Sequence, residues 1–415
     1  MGPWNAGTAV YYGFEIVPLP SQARYPWLSR QGVQMQTKSF PSSFRHFFLF
    51  VFVLCGVVSI ALVACGGSGA VVCQTPPCAP VPPAEFLYAT SNNGQVLSLP
   101  VDPSTGAVGA ATSVAGPAVS LSIAAVGSQF VYASDFQNNL IYGYSINRTS
   151  GALAPVGGSP FAQAPLSVLN GLAAGPGGNI LYATVAAGID AFSISGAGVP
   201  SLLVDSPFAS GGNLWLAVDP FGKFLFAPDI GPPNGVSAFT IDSTTGALRS
   251  VPGSPFPFAG QTVLDSHPVG IAVDSTGQFV YVALNATNQV AAFSIASGTG
   301  ALASVPGSPF SAGNLPFLMA TTGKFLYVSN AGDGTASGYS IDPLSGVLTP
   351  LPGSPFAIPA PSLVADPTGK YLYGGGAGIL AFAINADGSL TPVSGSPFPA
   401  PAPMVLTIVQ MPSGA

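Results

Sequence analysis

The chain has 415 residues, of which 52 are Gly and 43 are Pro; only 6% are charged, against roughly a quarter in an ordinary soluble domain. A formal net charge of −6 argues against a nucleic-acid binder, which needs clustered Lys and Arg to neutralise phosphates. The hydrophobic fraction is 48%, yet one long uncharged apolar run is present, so the remaining hydrophobicity must be spread through short strands rather than membrane spans.

Residues 1–34 fit no export signal and read as a non-native or disordered extension, with the natural start expected at Met35. Residues 35–64 have signal-peptide proportions: Lys38, Arg45 and His46 precede an uncharged run from Phe47 to Ala64. The run ends in Leu62-Val63-Ala64-Cys65, which resembles the bacterial lipobox and implies lipidation of Cys65 and anchorage in the cell envelope, facing periplasm or cell surface. A plain transmembrane anchor is the alternative, since this run is just long enough to span a bilayer. Residues 65–84 then read as a flexible linker opening with Gly66-Gly67-Ser68-Gly69. Within it, Cys73 and Cys78 are placed to form a small disulfide loop in an oxidising compartment. No metal is expected there, because two thiols without further ligands cannot complete a tetrahedral shell.

From residue 85 to 411 the chain repeats itself. An aromatic inside a short β-branched or aromatic run recurs at Tyr88, Tyr132, Tyr182, Phe226, Tyr281, Tyr327 and Tyr373. Each unit contains four strand-like pieces separated by Gly, Asp and Asn turns, as in 267–274, 279–283, 290–295 and 301–305. Gly-Ser-Pro-Phe closes five units, and Asp205-Ser-Pro-Phe is a variant; Pro is tolerated on an outer edge, where no ladder bond is lost. Four strands at this period predict an all-β fold, a seven-bladed β-propeller with antiparallel blades. The first unit lacks an inner strand, whereas Met404–Gln410 is an inner strand without a blade. The C-terminal strand is therefore expected to pair into blade one and close the ring.

Asp102, Asp242 and Asp342, and likewise Asp219, Asp274 and Asp366, precede Gly-containing turns and read as turn-capping carboxylates. Candidate ligand-binding residues lie instead in loops predicted to share one face at the mouth of the central channel: Asp135, Asn138, Asp229, Asn285, Asn330 and Asp333. His267, the single histidine of the repeat region, is the candidate general base together with Asp229 or Asp265; a loop histidine bonded to backbone is the plainer reading. No cofactor is expected, as no Walker loop, zinc motif, dinucleotide fingerprint or nucleophile elbow appears.

Phe325-Leu-Tyr-Val-Ser-Asn330, with Thr-Gly-Lys before it and Ser340-Ile-Asp-Pro-Leu-Ser-Gly-Val-Leu348 after it, resembles the lactonase-type seven-bladed propellers, a family that includes 6-phosphogluconolactonases and neighbours the Tyr-Val-Thr-Asn repeat surface proteins. The resemblance covers residues 85–411. Asp229-Ile230-Gly231 is similar to the family's Asp-Leu-Gly segment, but Asn213-Leu214-Trp215 stands where an inner-strand histidine is expected. The accompanying arginine is also missing, since Arg148 and Arg249 fall in or beside turns of the opposite face. The residues thus favour an envelope-anchored propeller that binds a carbohydrate or an envelope protein on its polar loop face without catalysis. The resemblance implies the alternative, a lactonase-like hydrolase acting on an uncharged lactone.

Overall fold

Short apolar runs broken every few residues by turn formers fold here as antiparallel ladders, and seven such ladders are arranged in a ring. The structure, a computed structural model, describes residues 85–162, 169–210, 215–231, 234–260 and 267–412. The extension 1–34, the signal segment 35–64, the linker 65–84 with Cys65, Cys73 and Cys78, and Asp265 lie outside the described residues.

Each of the seven sheets runs from an inner strand to a short outer strand. The inner strands of blades two to seven are Ile123–Val126, Leu172–Ala174, Ala217–Val218, Pro268–Val273, Pro316–Thr321 and Ser362–Ala365. Blade one takes its inner strand from the other end of the chain: Pro403–Gln410 pairs antiparallel with Glu85–Ser91, Glu85 facing Gln410 and Ser91 facing Pro403. The tail therefore completes blade one as its sequence predicts.

The second strand of each blade carries the repeated aromatic and is buried along its length, as Phe279–Leu284 illustrates. Burial on both faces explains the continuous apolar run, since the strand is sandwiched between neighbouring blades. Seven apolar clusters follow, one at each junction between adjacent blades. The cluster uniting blades seven and one, for example, combines Leu87, Leu97 and Leu406 with Tyr373 and Ile379. A single blade thus has no core of its own. Only the ring buries these faces.

Tyrosine hydroxyls tie one blade to the next. Tyr132 donates to the Gly198 carbonyl at 2.6 Å, Tyr182 to Gly246 at 2.8 Å and Tyr327 to Gly388 at 2.8 Å. Tyr88, Tyr281 and Tyr373 bond likewise to Gly151, Gly346 and Gly106. Blade four has Phe226 at this position and lacks the hydroxyl.

The Ser-Pro-Phe segments do more than tolerate an edge. In all six the Ser–Pro bond is cis. The serine hydroxyl accepts a backbone N–H from the third strand, as Ser159 does from Gly143 at 2.9 Å. The following Phe then pairs with that same third strand beyond the end of the fourth, Phe161 opposite Ile141 and Phe256 opposite Val236. The outer edge is consequently covered in two pieces rather than one.

Candidate ligand site at the channel mouth

Strand polarity decides which loops meet. Connections that enter an inner strand, and those between second and third strands, emerge on one face, around the top of the central channel. Turns between first and second strands, and between third and fourth, emerge on the other.

Three of the predicted binding residues turn inward on arrival. Asp135, fully buried, accepts the backbone N–H groups of Gln137 and Asn138 at 3.1 Å, and one from Ala118 at 3.3 Å. Asn138 is exposed, and its side-chain amide donates to Asp135 at 3.0 Å. Asp229, 1% exposed, accepts the Ser237 hydroxyl at 2.8 Å. Asn330, also 1% exposed, donates to Thr335 and Ser337 at 2.9 and 3.0 Å. These side chains are bonded to polar groups of their own loops and neighbouring strands, a structural task.

Two others pin the lip between blades five and six. Asn285 donates its amide to the carbonyl oxygen of Pro316 at 3.0 Å. Asp333, exposed, accepts the Asn314 N–H at 3.0 Å and the Thr335 hydroxyl at 2.7 Å. The entry into blade six is thereby held from both sides.

His267 is exposed at the entry to blade five, with φ of 41°. A positive φ is uncommon away from glycine and often marks function. Here the repeat supplies a plainer cause. Leu315 and Ala402 occupy the same position before Pro316 and Pro403, with φ of 52° and 44°. In each case the carbonyl accepts a backbone N–H from the loop after the second strand: His267 from Asn285 at 3.2 Å, Leu315 from Ala331 at 2.9 Å, Ala402 from Asn92 at 3.4 Å. The backbone at His267 is therefore a shared architectural device, while its imidazole remains accessible at the mouth.

The mouth also holds an aromatic pair. Trp215, just before the inner strand of blade four, meets Phe317 on the inner strand of blade six with ring centroids 5.1 Å apart at 83°. They meet across blade five, whose inner strand carries Gly270. A Cβ at Gly270 would overlap the Phe317 carbonyl oxygen, so glycine permits this close approach. Ladder register shifts between Pro268 and Ile271, and between Pro316 and Met319, at the same level. In the sequence Trp215 stands out only as a departure from a family histidine. Its signal was visible nonetheless: a lone large aromatic at the head of an inner strand otherwise built from small residues.

Charge separates the two faces. Lys223, Lys324 and Lys370 lie in turns between first and second strands, while Arg148 and Arg249 lie in or beside turns between third and fourth. They are all the Lys and Arg from residue 85 onward, and all fall on the face opposite the channel mouth. On the third strand of blade three, Asp190 is 4% exposed, and burial pushes its carboxyl above the usual Asp range. Among the described residues no cluster of His, Cys, Asp and Glu could hold a metal.

In these features the chain is similar to the lactonase-type seven-bladed propellers. Residues 234–366, about a third of the chain, match the family model described as lactonase, 7-bladed beta-propeller. A 6-phosphogluconolactonase of Formosa agariphila is 32% identical over 90 residues, which is 21% of this chain and 24% of that protein. The match thus spans about a quarter of that relative's length. Among solved structures, a proposed 6-phosphogluconolactonase of Bacteroides fragilis superposes with a TM-score of 0.62 at 20% identity, covering 79% of this chain and 98% of the other. The periplasmic gluconolactonase of Pseudomonas aeruginosa gives 0.58 at 16% identity, covering 79% and 99%. At such identities the likeness shows the fold alone.

Proposed function

We propose that this propeller is a lactonase-like hydrolase that opens a neutral lactone at its loop-face channel mouth. The observation that carries the reading is the lactonase match over residues 234–366, which includes His267, Asn285 and Phe317. This weighs toward catalysis over the non-catalytic binder that the residues by themselves favour. The side chains expected to bind ligand support the same preference, because Asp135, Asp229 and Asn330 are occupied in holding their own loops.

In this reading His267 is the base. Its imidazole takes a proton from water as the water oxygen attacks the lactone carbonyl; collapse of the tetrahedral intermediate breaks the ring C–O bond, and the proton passes to the departing alkoxide. The product is a hydroxy acid. Asp229 is a poorer base, since it is buried and already engaged with Ser237. A phosphorylated lactone fits badly: phosphate is best held by Arg or Lys, and every cation of the propeller faces the other way.

Location belongs to the same proposal. The lipobox-like Leu62-Val63-Ala64-Cys65 supports export and a lipid anchor at Cys65, and the periplasmic gluconolactonase is a fold relative consistent with an envelope setting. Palmitate labelling of the cells, abolished by Cys65→Ala, tests the anchor. Purified protein assayed against D-glucono-1,5-lactone, δ-valerolactone and 6-phosphoglucono-1,5-lactone tests the activity. Turnover of the neutral lactones, reduced at least a hundredfold by His267→Ala, is the expected result. Lack of turnover on all three returns the reading to a binding propeller.

A further inference from the structure

We infer that Trp215 and Phe317 form a stacking platform that makes the mouth selective for ring-shaped neutral ligands over open-chain ones. The inference rests on the lactone reading for its ligand class, but its geometry stands apart from any catalytic residue.

Three observations carry it. The two rings come from blades four and six and meet edge to face at 83°, a contact that restrains the indole. Both side chains remain only partly buried, unlike the repeat tyrosines, whose rings are sealed between blades. Finally, Gly270 and the two register shifts bring the inner strands of blades five and six together at this level. The register shift recurs after Pro403 in blade one, whereas Gly270 is particular to blade five, where Leu318 and Val405 stand at the matching positions of blades six and one.

An aromatic face carries partial negative charge, and the C–H bonds of a saturated ring present partial positive charge. A lactone ring laid on the indole gains this attraction over its whole face and displaces water from apolar surface. An extended ester covers less of the indole and must also freeze its own torsions. Because Phe317 already holds Trp215, little side-chain freedom remains to be lost on binding. The platform therefore favours rings. It also needs no charge on the ligand, in keeping with a face that has no Lys or Arg.

Trp215 is the single tryptophan from residue 85 onward, the others being Trp4 and Trp27. In the full chain carrying Trp4→Phe and Trp27→Phe, indole fluorescence reports this site alone. Titration with D-glucono-1,5-lactone should shift that emission saturably, and ethyl acetate at equal concentration should not. In kinetics, Trp215→Ala should raise KM for the lactone about tenfold with kcat changed less than about twofold, the equivalent of about 1.4 kcal/mol of binding. Trp215→Phe should recover most of the loss, and Phe317→Ala should reproduce part of it if Trp215→Ala folds poorly. Turnover with unmoved fluorescence and an unchanged KM in these variants overturns the platform and leaves the hydrolase reading intact. A fluorescence shift without turnover supports the platform and removes the hydrolase. Silence in both assays overturns both.

Discussion

The hydroxyl of Tyr373 in blade seven donates to the carbonyl oxygen of Gly106 in blade one at 3.3 Å, joining residues 267 positions apart. Beside it Tyr371 donates to the Ser104 carbonyl at 2.8 Å. The bond is the last of a series in which a second-strand tyrosine reaches the following blade's glycine turn. Ring closure therefore uses the same contact that joins consecutive blades, plus the pairing of Pro403–Gln410 with Glu85–Ser91.

The series predicts its own measurable increments. Tyr182→Phe leaves the Gly246 carbonyl without the Tyr182 hydroxyl, and should cost about 1–3 kcal/mol in urea unfolding, the penalty of an unmet buried polar group. Phe226→Tyr is the converse. It supplies a hydroxyl at the junction of blades four and five, and should stabilise by about 0.5–1.5 kcal/mol. A loss there would mean that the blade-five turn does not present its carbonyl as the other turns do.

Gly151 and Gly94 separate backbone strain from steric overlap. Both have positive φ, 69° and 71°. A Cβ at Gly151 would overlap the ring of Phe86, whereas at Gly94 nothing lies within 4 Å. Gly94→Ala should cost about 1 kcal/mol, for left-handed backbone alone. Gly151→Ala should cost well beyond that, by about 1–3 kcal/mol for the overlap. Equal losses in thermal unfolding would show that the turn moves aside freely.

Glu85 is 1% exposed, and neither carboxyl oxygen has a hydrogen-bond partner among the described residues. Burial raises its pKa above the ordinary Glu value, Asp366 raises it further and Lys370 opposes them. The folded state consequently holds the proton more tightly than the unfolded chain. Stability is full below the ordinary Glu value and falls as pH rises through the raised one, then stays level. Glu85→Gln should therefore stabilise the protein at pH 7 by about 1–3 kcal/mol and have little effect near pH 3.5. A gain of equal size at both pH values would point to packing rather than ionisation.

Removing the C-terminal strand should open the ring. A chain ending at Ala402 exposes the inner edge of Glu85–Ser91 and loses Leu406 and Val409 from two inter-blade clusters. Aggregation or a broadened, less cooperative unfolding transition is the expected outcome, visible by size-exclusion chromatography and calorimetry. A peptide of residues 403–415 added in trans should partly restore the native profile. A sharp, monomeric transition without it would mean that the other junctions suffice.

The architecture was legible because it is written many times over. Tyr88 and its counterparts, the Ser-Pro-Phe segments and the unpaired strand at 404–410 each repeat or complete a pattern whose period is local. Asp219, Asp274 and Asp366 also behave as their turns suggest, accepting backbone N–H groups just ahead in the chain. Loop chemistry was much less legible. Asp135 and Asn330 read as free polar groups in the sequence, and only the fold shows them turned inward and bonded.

By itself, then, the sequence determined the blade and the number of blades, since strand pattern and turn chemistry act between residues near one another in the chain. Closure was legible because blade one lacks an inner strand and 404–410 is an inner strand left over. Tertiary structure decided which side chains stand at the mouth. Trp215 and Phe317 lie more than a hundred positions apart, and they meet because blade five between them narrows at Gly270, a matter of packing that no local pattern encodes.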